Sequence, residues 1–206
     1  MKRSRTKNNW IKEHLADEYV KKSKIDGFRS RAAYKFLQLN EKHSLLTSSD
    51  RVVDLGSAPG SWSQAVSTLL NDDGRIIAID LLPMAAVPKT SFIQGDFTDN
   101  AIYEKLQDAL NNNPVDLVIS DMAPNISGIK AVDQAKWLGL AEMAFDFCHE
   151  NLKRNGSLLV KCFEGSGTQG FRESLRQAFN SVKVKKPAAS RDRSSEFFLF
   201  AKGKKG

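Results

Sequence analysis

Strands alternating with helices through most of the chain predict an α/β fold built on a doubly wound, mostly parallel sheet. Three observations carry that prediction. Short apolar runs recur at Arg51–Leu55, Arg75–Asp80, Ser91–Gln94, Val115–Ser120 and Ser157–Phe163. Stretches with helical spacing separate most of them, at Ser61–Leu70, Asn100–Leu110, 131–152 and Gln169–Phe179. Turn formers punctuate the series, at Asp72-Asp73-Gly74, Asn111–Pro114 and Asn155-Gly156.

In order along the chain, residues 1–9 are basic, polar and aperiodic, which predicts disorder. Residues 10–24 fit a short helix that Gly27 breaks. Ser30 is the expected N-cap of a helix from Arg31 to about Lys42, with Ala33, Phe36, Leu37 and Asn40 at helical spacing and Lys35 beside that stripe. The alternating units follow. Helix 131–152 turns Trp137, Leu138, Ala141, Ala144, Phe145 and Cys148 inward. Only a loop joins Val182–Lys185 to Glu196–Ala201, so these two are expected to pair antiparallel and give the sheet one antiparallel strand near the C-terminus.

At 206 residues the chain suits one such domain with a full core and leaves little room for a second. The expected division is a basic, partly disordered extension over 1–30 and a single domain over 31–206. No apolar stretch approaches the ~20 residues of a membrane span, and no apolar signal core follows Met1-Lys2-Arg3-Ser4-Arg5. The expectation is a cytoplasmic protein without a membrane partner. Cys148 and Cys162 sit in apolar contexts without ligand spacing, and His14, His43 and His149 form no metal set or triad. No metal is expected.

The net charge of +7 is unevenly spread: +7 over residues 1–35, −7 over 36–171 and +7 over 172–206. If the two ends lie on one side, they make a basic footprint for a polyanion. Trp10, Tyr19, Phe28 and Tyr34 lie among the N-terminal cations, and such aromatics suit the stacked bases of RNA.

Four scattered residues name a chemistry. Asp121 closes the run Val115–Ser120, Lys161 closes Ser157–Val160, Glu196 opens the last strand, and Lys35 lies on the helix after Ser30. Ligand crevices of open α/β sheets lie outside the carboxyl ends of the parallel strands. Charges ending buried strands are costly unless used there. A Lys-Asp-Lys-Glu set around one crevice suits activation of a hydroxyl nucleophile.

The first strand runs into Asp54-Leu55-Gly56-Ser57-Ala58-Pro59-Gly60-Ser61-Trp62. Gly56 and Gly60 permit a tight turn against a ligand at a helix start. The spacing is not that of a dinucleotide loop and suits a nucleoside without a pyrophosphate. Asp80 ends the second strand, where a carboxylate accepts from ribose hydroxyls. Asp96 and Phe97 follow the third strand, placed to accept from an adenine amine and to wall its ring; the plainer reading of Asp96 is a helix cap or loop carboxylate.

Asp54–Trp62, Gly95-Asp96, Ser120–Asn125, Val160-Lys161 and Ser190-Arg191 with Ser194-Ser195-Glu196 together resemble the motifs of FtsJ-type ribosomal RNA 2′-O-ribose methyltransferases, in order and spacing, from about residue 25 to the end. The resemblance implies a Rossmann-like class I methyltransferase fold, S-adenosylmethionine as cofactor and a uridine ribose of large-subunit ribosomal RNA as acceptor. It maps the family's catalytic tetrad onto Lys35, Asp121, Lys161 and Glu196, and its cofactor positions onto Gly60, Trp62, Asp80, Asp96 and Asp121. Ser61 stands where the family usually has a second glycine; a backbone contact survives that change. A monomer is the expectation.

Within that reading Lys161 is a base or an orienting group for the 2′-hydroxyl. Burial and Lys35 favour its neutral form, whereas Asp121 favours its charged form. Asn125 follows Asp121-Met122-Ala123-Pro124 where base-amine methylating enzymes commonly place an aromatic, which argues for a hydroxyl acceptor. The rival readings are a transfer-RNA 2′-O-methyltransferase, a catalytically silent RNA-binding assembly factor, and a nicotinamide-dependent oxidoreductase. The full tetrad opposes the second; the glycine spacing and the basic ends oppose the third.

Overall fold

A computed structural model of the chain describes residues 17–48, 50–191 and 194–206. The expectations for residues 1–16, which include Trp10 and His14, lie outside the described residues. Of the helix expected over 10–24, the described part is α1, Glu18–Ile25, capped by the Asp17 carboxylate, which accepts from the Tyr19 and Val20 N–H groups. Helix α2 spans Ala32–His43, and the Ser30 hydroxyl accepts from the Ala32 N–H. Its buried face is Ala33, Tyr34, Phe36 and Leu39, which keeps Ala33 and Phe36 of the expected stripe and replaces Leu37 and Asn40 by Tyr34 and Leu39. Asn40 is spent differently: its carboxamide oxygen accepts from the Leu45 and Leu46 N–H groups and ties off the chain after the helix.

The remaining elements are β1 Arg51–Leu55, α3 Ser61–Ser67, β2 Arg75–Asp80, β3 Thr90–Gln94, α4 Asn100–Leu110, β4 Val115–Ser120, α5 Lys130–Asn151, β5 Leu152–Phe163, α6 Thr168–Ala178, β6 Phe179–Lys185 and β7 Glu196–Lys204. The sheet order is β3-β2-β1-β4-β5-β7-β6. β7 runs antiparallel to both neighbours, and the other pairs are parallel. α3 stops three residues before its expected end at Leu70. The Thr68 hydroxyl turns back onto the Ala65 carbonyl there, a bond that competes with helix continuation. Phe179, expected to end a helix, instead opens β6 opposite Lys204. β5 begins at Leu152 and absorbs the Asn155-Gly156 turn as a register shift opposite Val115–Leu117, with Asn155 at φ 65°.

Side-chain alternation along the strands divides the core in two. Val53, Ile79, Val118, Val160 and Leu199 face the layer of α4, α5 and α6. Val52, Ile76, Ile119, Leu159, Phe198 and Phe200 face α2 and α3. Phe36 and Phe198 are fully buried on this second side, each worth about 1.5–3 kcal/mol by burial. The same period of two puts Asp54, Asp80, Asp121, Lys161 and Glu196 on the second face, within two residues of strand ends. No helix among the described residues is long and apolar enough to cross a membrane.

Candidate active site

Strand register brings the four charged residues together. Ser120 lies opposite Val160, so the residues that follow, Asp121 and Lys161, meet. The Lys161 Nζ stands 2.9 Å from the Asp121 Oδ1 and also donates to the Asp121 carbonyl. The Trp137 indole N–H, 2.9 Å away, donates to the Lys161 carbonyl and anchors the backbone from the other face. Glu196 lies opposite Phe163 at the end of the β5–β7 ladder. Its carboxylate takes an ion pair from Lys35, which reaches across from α2.

The tetrad is therefore two ion pairs side by side. Side-chain exposure runs only from 8% at Lys161 to 21% at Asp121, so neither pair is a solvated surface contact. Burial alone would push the Glu196 carboxyl up. The Lys35 charge and hydrogen bond, with the Lys161 charge and Ser190, overcome it and hold the carboxyl below its ordinary range.

Beside the tetrad lies the glycine loop. Gly56 and Gly60 have φ of 75° and 100°, which an L-residue adopts only with strain. A Cβ on Gly56 would run into Met122, and one on Gly60 into the Arg29 guanidinium and Met84. Asp80 braces the loop: its Oδ2 accepts from the Ala58 N–H at 2.9 Å and its Oδ1 from the Leu82 N–H at 2.8 Å. Arg29 closes it from above, its guanidinium donating at 2.7 Å to both the Pro59 and the Ala86 carbonyls. A cavity of about 40 Å³, bordered by Asp54, Gly56, Ser57, Ser61 and Asp121, separates the loop from the tetrad.

Three cofactor candidates use their side chains locally. Trp62 is buried, its indole N–H donating to the Ala32 carbonyl at 2.9 Å and its ring packed between Phe36 and Phe198. Only its backbone is left to face a ligand. Asp96 is exposed and its Oδ1 accepts from the Thr98 N–H, while Asp99 caps α4. Phe97 is half-buried, with Tyr103 and Phe147 against its ring.

Asp54 escaped the residue-by-residue reading. It is fully buried, its Oδ2 accepts from the Ser63 hydroxyl at 2.6 Å, and its Oδ1 has no partner. A carboxylate inside the apolar run Val52-Val53-Asp54-Leu55 was the available signal. Burial pushes its pKa up to about 7; Ser63 opposes this, and the charges of Asp121 and Asp80 add to it. A carboxyl raised in the folded state binds a proton that the unfolded chain has released. Stability should therefore fall as pH rises from about 4 to about 7, by on the order of a few kcal/mol. Asp54→Asn keeps an acceptor for Ser63 and removes the charge. Denaturant midpoints across that range should decline in the native protein and stay flatter in the variant; parallel curves would refute the assignment.

Among the described residues, the N-terminal segment meets the stretch before β7. Arg31 pairs with Asp17 and donates to the Ala189 carbonyl, and the Ala189 N–H donates to the Gln38 carboxamide at 2.8 Å. Arg191 Nε lies 3.8 Å from Asp17 Oδ2. Cys148 and Cys162 are free and buried, and burial raises both thiols, Cys162 to about 12. Among the described residues no group of acidic, histidine and cysteine side chains could hold a metal ion.

Comparison with known proteins shows the family. The family model described as FtsJ-like methyltransferase matches residues 28–204. The chain is 47% identical over 206 residues, all of both chains, to ribosomal RNA large subunit methyltransferase E of Pseudomonas aeruginosa. It is 49% identical over 199 residues, 97% of each chain, to the protein of the same name from Azoarcus sp. strain BH72. Among solved structures, one described as a ribosomal RNA methyltransferase from Plasmodium falciparum superposes with a TM-score of 0.77 at 28% identity, covering 87% of this chain and 100% of that one.

Proposed function

Because the chain belongs to the FtsJ-like methyltransferase family, we propose that it methylates the ribose 2′-hydroxyl of a uridine in large-subunit (23S) ribosomal RNA, with S-adenosylmethionine as donor. The observation that carries this is the pair of ion pairs, Lys161–Asp121 and Lys35–Glu196, meeting beside the glycine loop. The names of its relatives support ribosomal RNA as the substrate class.

The residues present fit that donor. Gly56 and Gly60 open a cradle that a Cβ would fill. Asp54 and Asp121 line the cavity beneath it, the charges of Asp121 and Asp80 bear on Asp54, and the Asp54 Oδ1 is unpartnered. Such a site favours a cation. When bound, S-adenosylmethionine supplies an electrophilic methyl group on a positive sulfur. The chain's part is to hold the acceptor. Lys161, fixed by Asp121, Trp137 and its own burial, receives the 2′-oxygen and governs its proton. Lys35 and Glu196 hold the other wall of the crevice. Asp80 and Asp96 are assigned to the cofactor's ribose and adenine, Phe97 to the ring's wall, and the Trp62 backbone N–H to the loop. Alignment supplies much of the acceleration.

The basic extension over 1–30 is assigned to RNA contact, apart from Arg29 at the glycine loop, and residues 31–206 to the catalytic domain. All four tetrad residues come from one chain, which supports action as a monomer. Ribosomal RNA as substrate supports the cytoplasm as its place.

Two measurements test the reading. Labelled methyl should pass from S-adenosylmethionine to large-subunit RNA or subunits and appear as 2′-O-methyluridine on digestion; label on a base, or on transfer RNA alone, would overturn it. Calorimetry should show S-adenosylmethionine binding that Asp80→Ala weakens by about 1.5–3 kcal/mol, the worth of a charge-assisted hydrogen bond. Unchanged affinity would remove Asp80 from the site.

A further inference from the structure

A cluster of cations stands at the sheet edge, unused by the reaction proposed above. Lys183 and Lys185 of β6 pair in register with Phe200 and Phe198, so both side chains rise on the α2 face. The last turn of α2 ends against them with Lys42 and His43, and the Lys185 Nζ stands 3.5 Å from the His43 Nδ1. Among the described residues, Lys42, Lys183 and Lys185 enter no ion pair. Lys186 continues the strip, held by the Ser194 carbonyl at 3.0 Å.

Two ordinary explanations account for parts of this. Lysines on an edge strand discourage pairing with another chain. Cations in a last helical turn complement its dipole. Neither explains why both sets converge, since bringing them together costs repulsion that an anion would relieve. The cluster also has a position. Lys161 lies opposite Phe198, and Phe198 lies opposite Lys185, so a strand spacing or two separates the crevice from the cluster. Lys35 and His43 share α2 eight residues apart, about 12 Å along its axis, a reach of roughly three stacked nucleotides.

We infer that Lys42, His43, Lys183 and Lys185 form a seat for the phosphates of the RNA strand flanking the acceptor nucleotide, with His43 carrying a proton when the RNA is in place. This rests on the RNA methyltransferase reading above. In the free protein, burial and then the charges of Lys185, Lys42 and Lys183 hold His43 below its ordinary pKa. Those three lysines, one beside it on α2 and two on β6, are the charged groups acting on it. A phosphate among them reverses the local field. Binding then takes up a proton, and RNA affinity rises as pH falls from 8 to 6.

The test is binding of a labelled large-subunit RNA transcript to the full chain, over salt and pH, with S-adenosylmethionine affinity measured in parallel. Lys183→Gln/Lys185→Gln should weaken RNA binding about tenfold or more and lower the logarithmic salt slope by about 1–2, leaving cofactor affinity unchanged. His43→Gln should flatten the pH dependence. His43→Arg, with a fixed charge, should bind well at pH 8 and be equally flat. Native RNA affinity and slope in the double variant would show that the lysines only guard the edge, and would overturn the seat. An unaltered pH profile in both His43 variants would overturn the proton linkage. A native chain that binds cofactor but no RNA would sink the substrate reading and the seat together, an outcome separate from either variant's failure.

Discussion

Lys161→Ala is expected to cut single-turnover methyl transfer to large-subunit RNA by at least ~10²–10⁴-fold, the range for losing a positioned proton-handling group, while S-adenosylmethionine affinity holds. The Lys161 side chain is 8% exposed, and its ammonium is engaged by Asp121 through both carboxylate and carbonyl. Replacement therefore removes a fixed donor, not a mobile surface charge. Lys161→Arg should fail as well: it keeps a charge, but its planar fork cannot reproduce a point contact. Asp121→Ala should also cost heavily, and the double variant should lose less than the sum, because the two act as one unit. The Asp121 result reports on cofactor binding too, since Asp121 borders the cavity beneath the glycine loop. Near-native turnover in Lys161→Ala would remove it from the mechanism and weaken the hydroxyl-acceptor reading with it.

Several strand ends were legible because three signals coincide there, alternation, apolar content and a turn former or charge, but β7, expected to stop at Ala201, runs on to Lys204. β1, β2 and β4 end where Leu55, Asp80 and Ser120 said they would. Helix ends were less so, because they depend on local bonds. The Thr68 hydroxyl stops α3, and pairing with Lys204 claims Phe179 for β6. Asp121 and Lys161 stood out by following apolar runs and Glu196 by opening one, whereas Lys35 had only its place beside a helical stripe. Their pairing was not legible, since Lys35–Glu196 and Lys161–Asp121 follow from register between β4, β5 and β7 and from the crossing of α2. Asp54 was hidden by its own strand, and the indole of Trp62 belongs to the core. Both facts need the third dimension.

That pairing sets the expectation for Glu196. Lys35 and Glu196 keep 12% and 14% side-chain exposure and neutralise each other. Removing one strands the other, and breaking a buried pair costs about 3–5 kcal/mol. Lys35→Met and Glu196→Leu should each destabilise the fold toward the lower end of that range and each abolish most methyl transfer. Lys35→Met/Glu196→Leu should recover much of the stability, since no charge is left unpaired, yet remain inactive. A pH signature separates the pair from simple packing. The Glu196 carboxyl is held below its ordinary range, so its stabilisation is present above the unfolded value of about 4.3 and is lost as pH falls through the lower folded value. Lys35→Met should remove much of that acid dependence. Chemical denaturation from pH 7 to pH 3, run beside single-turnover assays on all three variants, decides it. A double variant less stable than either single, or a Glu196→Leu enzyme with native turnover, would mean the two residues do not work as a pair.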